Sequence, residues 1–497
     1  MAKNNNNRNK NRTRRYDNES QESYDYRRFA SVSASKSGTT SNSSASSISE
    51  TRLKAMLQDP SRNSESVMSL SRSMKQINGM YKRIIKYLSS LLTYDHTIFP
   101  VMENPIAFAE NPQDMQIAFA QTAIFIDRLN PKFHLPIFGE KVFTNGTTYL
   151  YKLEDSKSVA YMDFPTKYCR ISYIEDGVYR FQIDVTKLTE STVALYPKEI
   201  QTAYQSYKNG NTDKLEDSKW YQVSDKGVAF TLDVDVLSQS GYSLPPLANA
   251  LIDAIKVENA KDEMEDTAKL DNTKIVHSKI ETDDKGRPLM ELPVVQEYHN
   301  ALKRNLPDGS VAITNPFETK GITLNGTGKD GKFALLEKAV DNLYDSAGVS
   351  KLLFAGDGAS SKALERSIQV DCQWLYNFLL PMFTNYYNYE LKKVSKKGTG
   401  WKIKFLQISH FDRDDAIKTA KDQLSYGGSR LEYLAYTGMT PLEVANMLVF
   451  EQRVLNIDDF MVAKKTSHTM SGDDTDEAGA PESDDPTDTT VRINDSE

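Results

Sequence analysis

The stretch of this chain most suggestive of catalysis is Gly326-Thr-Gly-Lys-Asp-Gly-Lys-Phe333. It fits G-x-x-x-x-G-K and lies between a short apolar run, Gly321-Ile-Thr-Leu, and a helical pattern, the setting a phosphate-binding loop needs. Phe333, however, stands where a Ser or Thr hydroxyl would hold magnesium, and no apolar strand ending in Asp follows to give the second metal contact. The competing reading is a joint between two modules. Other chemistry is sparse. The six histidines, His96, His134, His277, His299, His410 and His468, are scattered, and none stands four residues from another His or a Cys, so no metal site is expected. No nucleophile elbow or Cys–His pairing is present. Asp412, Asp414 and Asp415 surround Arg413 at the start of a helical pattern, where carboxylates complement the helix dipole better than they would hold a metal. Trp374, Tyr376, Tyr386, Tyr387 and Tyr389 offer aromatic faces for bases, but at helical spacing on a long helix they read as core. No enzyme activity and no cofactor are expected.

The acidic residues are more informative. Glu337, Asp341 and Asp345 step by four along Phe333–Ala347, parallel to an apolar stripe of Phe333, Leu336, Val340, Leu343 and Ala347. A second helical stretch, from about residue 247 to 270, starts apolar and turns acidic at Glu258, Asp262, Glu263, Glu265 and Asp266. Lysine and arginine surfaces capture DNA because each neutralised phosphate releases counterions, so two acidic stripes would repel a duplex rather than hold it. Two solvated helix faces are the competing reading.

Gly348 closes the first of these helices, and Val349–Phe354 reads as a short strand or turn. The polar loop Ala355, Gly356, Asp357, Gly358, Ala359, Ser360, Ser361 follows, bracketed by Lys351 and Lys362. These lysines are either transient phosphate contacts or ordinary surface cations. A long helix then runs from about 362 to 394, with Leu364, Ile368, Cys372, Leu375, Leu379, Phe383 and Tyr387 in phase. Pro381 lies in its middle and should kink it.

Upstream, Met1–Pro60 reads as disordered, with Lys3, Arg8, Lys10, Arg12, Arg14 and Arg15 in its first fifteen residues and no acid among them. Ser66–Tyr94 reads as one amphipathic helix, and a second covers Gln113–Leu129. Alternating runs from Phe138 to Val236, punctuated by Asn145-Gly146 and Asp176-Gly177, predict a β-rich insert. Strand, helix and strand signals follow at Lys274–Ile280, Val294–Leu306 and Val311–Thr314. Downstream, Trp401–Ile408 alternates as a strand, Asp412–Tyr426 and Pro441–Leu455 read as helices, and Ser471–Glu497 is an acidic tail with ten Asp/Glu against Arg492 alone. The class is mixed α+β.

With 497 residues and 39% hydrophobic content the chain can build about three domains. A net charge of −7 argues against a basic nucleic-acid binder. Cys169 and Cys372 are too few for a disulfide scaffold, and no signal peptide or membrane-length apolar run is found. A soluble intracellular protein with no membrane partner is expected.

The order of helix, glycine-containing loop and long proline-interrupted helix, together with the opening segment Leu70–Pro100, resembles the portal (head–tail connector) proteins of tailed bacteriophages across roughly Ser66–Asp458. That resemblance implies a disordered arm at 1–60, a wing at 61–244, a first stem helix at 245–272 and a clip at 273–328. It also implies a second stem helix at 329–348, a tunnel-loop region at 349–361, a kinked wing helix and strand at 362–411, a crown-like region at 412–460 and a disordered tail at 461–497. By the same resemblance the chain forms a homo-oligomeric, dodecameric ring at one vertex of the virion capsid, assembled in the host cytoplasm. Double-stranded DNA would pass through it, driven by the terminase large subunit, with head–tail adaptor proteins, the major capsid protein and scaffold as further partners. Glu258, Asp262, Glu265, Glu337, Asp341 and Asp345 would line the channel. Lys351, Ala355–Ser361 and Lys362 would face the duplex. The competing classes are a monomeric capsid-assembly adaptor or scaffold protein and a nucleotide-binding enzyme built on Gly326–Lys332.

Overall fold

The computed structural model describes residues 50–101, 112–155, 157–238, 241–272, 274–283, 289–306, 310–315, 329–355, 361–395 and 400–456. It is a mixed α+β protein whose chain divides into two units after Leu442. No helix among the described residues is long and apolar enough to cross a membrane.

Three helices open the described chain: α1 (Glu50–Gln58), α2 (Pro60–Ile77) and α3 (Gly79–Ser90). The expected disorder up to Pro60 is therefore corrected at its end. Leu53 and Met56, three residues apart, are buried in the main core and hold α1. The single helix expected over Ser66–Tyr94 is broken at Asn78, whose backbone is extended and whose side chain accepts from the Tyr81 N–H as an N-cap. The break rotates the helical phase, so Tyr81, Ile84 and Leu88 are buried while Ile77 is 55% exposed.

Strand β1 (His96–Val101) pairs antiparallel with the distant β11 (Gly400–Phe405), a partnership no local pattern announces. Helix α4 (Pro112–Leu129) matches its sequence signal. Helix α5 (Pro131–Asn145) occupies the first part of the stretch read as β-rich, so the insert starts later than expected. Asn145-Gly146 is accordingly the end of a helix and not a hairpin turn. Gly146 closes it at φ 79°.

The insert is one antiparallel sheet of β2 (Thr147–Glu154), β3 (Val159–Phe164), β4 (Cys169–Glu175), β5 (Val178–Asp184), β6 (Leu215–Glu216), β7 (Trp220–Gln222) and β8 (Gly227–Thr231). Its order is β3-β2-β8-β5-β7-β6, with β4 on the other side of β5. Asp176 and Gly177, at φ 50° and 76°, make the two-residue turn between β4 and β5 that the sequence proposes. Helix α6 (Lys198–Lys208) buries Ile200, Ala203 and Tyr204 in the second core beneath this sheet.

Helix α7 (Ala250–Asn272) leads into β9 (Lys274–Lys279), α8 (Leu292–Asn305) and β10 (Ser310–Asn315), with β9 and β10 parallel in a two-stranded sheet. This β-α-β module matches the sequence expectation element by element. Helix α9 (Lys329–Ala347) follows, then a short helix, α10 (Leu352–Ala355), where a strand or turn was expected. Helix α11 (Ser361–Val394) runs unbroken across Pro381. Helices α12 (Arg413–Ser425) and α13 (Arg430–Tyr436) come after β11. Helix α14 (Pro441–Val449) continues as a π-helical turn, Phe450–Val454.

Candidate functional site

The two acidic helices, far apart in sequence, pack along each other. On α7, small and branched residues, Leu251, Ala254 and Val257, go into the main core; on α9, Ala339, Leu343 and Tyr344 do the same. Leu336, Val340 and Ala347 pack half-buried against that core, so the apolar stripe read from the sequence is the buried face. The side chain of Phe333 lies outside the described residues.

The six candidate lining acids are not equivalent. Asp262, Glu265, Glu337 and Asp345 are exposed. Glu258 instead accepts from Asn78 Nδ2 at 2.9 Å and pairs with Lys261 at 2.7 Å, which ties α7 to the α2–α3 break. Asp341 is 2.6 Å from Lys351, and Glu337 lies 3.9 Å from the same ammonium. Lys351, one of the two lysines expected near DNA, is therefore engaged with the acids of α9. Lys362 is exposed at the start of α11.

The corner joining α9 to α10 is built by two devices. Gly348 takes φ 71°, and the Val349 N–H bonds back to the Tyr344 carbonyl, so the chain turns sharply. Phe354 is then held on three sides: its ring stacks on Tyr344 at 5.3 Å, meets Tyr87 edge-on at 5.5 Å and lies under the Arg83 guanidinium at 4.9 Å. Tyr87 in turn donates to Asp371 on α11 at 2.9 Å. Helix α3 thus clamps both sides of the candidate loop. Gly356–Ser360 and the side chains of Ala355 and Ser361 lie outside the described residues.

The remaining candidates separate clearly. Helix α9 starts at Lys329, inside the glycine motif, so Asp330 and Gly331 are already helical and a six-residue phosphate loop is cut short. Gly321–Gly328 lie outside the described residues. Among the described residues no cluster of three His, Cys, Asp or Glu is placed to hold a metal. Asp412 sits at the N-cap of α12, yet its carboxylate accepts from the Ser409 N–H and hydroxyl and not from the helix. Asp414 and Asp415 occupy the first turn, as expected for dipole complementation. Tyr386 and Tyr387 are buried, and Tyr389 packs under Arg180 at 4.2 Å, so the aromatic run on α11 is core.

Two charged nodes escaped the sequence reading. Lys152 of β2 and Glu390 of α11, both buried, form an ion pair, and Lys393 adds contacts to Glu390 at 3.1 Å and Asp225 at 2.8 Å. Asp95, buried beside β1, bridges Lys132 at 2.5 Å and Arg413 at 3.2 Å. A lysine inside the alternating run Thr148-Tyr-Leu-Tyr-Lys-Leu was the available signal for the first node. In the β-α-β module, Leu292, Val294 and Tyr298 of α8 are exposed, and none of its described side chains is buried. No known family model matches the sequence, and no curated protein is significantly similar to it.

Proposed function

We propose that this chain is a portal subunit, a building block of a ring through which double-stranded DNA enters and leaves a phage capsid. The observation that carries the reading is the arrangement around α7 and α9. Two long helices with exposed acids pack together, a small β-α-β module joins them, and a clamped corner follows that leads through a short loop into a 34-residue helix. In this reading α7 and α9 are the stem, and β9–α8–β10 is the clip. Asp262, Glu265, Glu337 and Asp345 give the bore its repulsive charge, which keeps a duplex from sticking.

Lys351 then acts mainly inside the subunit, moderating two of the acids and holding the corner. Lys362 and the loop from Ala355 to Ser361 approach the DNA. The exposed apolar side chains of α8 belong to a docking face for the terminase large subunit and head–tail adaptors, which supply the energy and the exit path. Ring closure comes from head-to-tail contacts between identical subunits. The capsid shell and scaffold meet the wing.

Mass measurement of the purified full chain, by light scattering or native mass spectrometry with negative-stain imaging, tests this. A closed ring with a central hole is the expected result. A protein that stays monomeric under every assembly condition, including co-expression with capsid protein, overturns it in favour of an adaptor or scaffold.

A further inference from the structure

A cleft of about 590 Å3 opens between the α4–α5 corner and the β2–β3 hairpin, on elements that carry none of the acids or loop residues described above. Its wall is an aromatic cluster. His134 stacks on Phe138 at 5.6 Å and meets Phe133 and Tyr161 edge-on, each at 5.0 Å. Phe133 is 60% exposed. The Tyr161 hydroxyl is already bonded to Tyr386 at 3.0 Å, so what this tyrosine offers the cleft is ring surface.

Three cations line the same cleft against one acid, Asp127. Lys141 is committed to Asp163 at 2.6 Å. Arg128 reaches Glu154 only at 4.0 Å, and its Nε is buried without a hydrogen-bond acceptor. Lys157, on the β2–β3 turn, is exposed and its ammonium has no ion pair among the described residues. Burial, aided by Lys141, holds His134 down to about 4, so at neutral pH its ring is an uncharged stacking surface.

We propose that this cleft binds a nucleoside phosphate, with the base against the Phe133–His134 rings and the phosphate at Lys157 and Arg128. The argument is one of matching. Aromatic faces bind any base, because every base has a π-face. A lysine with no ion pair among the described residues and a guanidinium whose ion pair is stretched to 4.0 Å suit a phosphate, which presents several acceptor oxygens. Asp127 provides the acceptor that an exocyclic amine requires. The volume lies within the range of small-molecule sites.

Binding is measured on the full-length protein by calorimetry, using AMP, adenosine, inorganic phosphate and a short single-stranded oligonucleotide as probes. AMP is expected to bind saturably and more tightly than either adenosine or phosphate. Phe133→Ala and Lys157→Glu, both surface changes, should each weaken AMP about tenfold, the first by losing stacking and the second by reversing charge. The oligonucleotide distinguishes the source: binding at least as tight as AMP means the natural ligand is a strand, and weaker binding means a free nucleotide. Either supports the proposal. Equal affinity for phosphate and AMP, or for adenosine and AMP, overturns it, as does saturable binding that survives both substitutions. The absence of saturable binding at millimolar AMP overturns it too. None of these results bears on ring formation, so this site and the portal reading fail independently.

Discussion

Individual residues show where this chain has no freedom. Gly146 ends α5 at φ 79°, and a Cβ built there would lie 2.4 Å from the Leu244 carbonyl oxygen. Both the conformation and the backbone contact exclude a side chain, and neither can relax by moving a flexible group. Gly146→Ala is expected to cost about 2 kcal/mol or more, read as a lowered urea midpoint at unchanged m. A loss below about 0.5 kcal/mol would show that the α5–β2 junction yields. His96 is constrained by burial instead. Its Nδ1–H donates to the Tyr94 carbonyl at 3.1 Å, and desolvation, reinforced by Lys132, depresses its pKa from 6.5 to about 4. The unfolded chain therefore takes up a proton at His96 that the folded chain refuses between those values. Stability contributed by the neutral ring is complete above about pH 6.5 and falls as the pH drops toward 4. By about pH 5 the loss at this position is about 2 kcal/mol. Urea titrations from about pH 7 to about pH 5 should show that decline on top of one from His134, also held down to about 4, and His96→Gln should remove the His96 share alone. An identical slope in both proteins would place the acid sensitivity elsewhere, at His134 or in the carboxylates.

At the scale of elements, the sheet and the long helix meet through charge. Lys152 and Glu390 are both buried, so removing either leaves the other with only its outer partner, Lys393 at 3.1 Å for Glu390 and Glu154 at 3.3 Å for Lys152. Because Glu390 keeps Lys393, Lys152→Met is expected to cost about 3 kcal/mol, the low end for a broken buried pair, and the double change Lys152→Met with Glu390→Leu should recover much of it. Thermal unfolding of the single and double variants decides this; additive losses would mean the pair is not a unit. This node also shows what the sequence could reveal. Helical periodicity located α4, α7, α9 and α11, and alternation with turn residues located the β4–β5 hairpin and the β9–α8–β10 module. These features are local, set by which face of each element is apolar. What stayed hidden depends on partners distant in the chain. Strand β1 exists because β11, about three hundred residues later, supplies its hydrogen bonds. Helix α5 was obscured by Pro136 and by an apolar pattern with little amphipathic contrast, because it is buried over much of its surface. The break at Asn78 had a local signal in the Asn78-Gly79 dipeptide, but apolar residues continue in helical spacing on both sides and masked it; the Asn78 bonds to Tyr81 and Glu258 fix the break. The acidic faces were legible as stripes, but the pairing of Asp341 with Lys351, and the inward turn of Glu258, required three dimensions.

For the whole molecule, the sign of the exposed charge makes the strongest demand on function. A ring that grips DNA would carry an excess of lysines on its inner helices; α7 and α9 carry an excess of acids, with Asp262, Glu265, Glu337 and Asp345 exposed against the exposed Lys338. Lys351 is drawn into pairs with Asp341 and Glu337, so one of the two cations that bracket the candidate loop is partly neutralised within its own subunit. The consequence is quantitative. If these helices line the bore, converting Asp262, Glu337 and Asp345 to Lys turns a repulsive sleeve into an adhesive one, multiplied by the number of subunits. The assembled variant should bind duplex DNA with an affinity that falls steeply with salt, by a factor in log–log slope of about −0.9 per phosphate engaged. The wild-type assembly should bind far more weakly and with a shallow slope. Fluorescence anisotropy of a labelled duplex across a salt series distinguishes the two. A reversed-charge assembly that gains no salt-dependent affinity would mean the acidic faces of α7 and α9 point away from any DNA path. The acids would then be solvating charges on an exterior helix pair, and the candidate loop would lose its assigned partner with them.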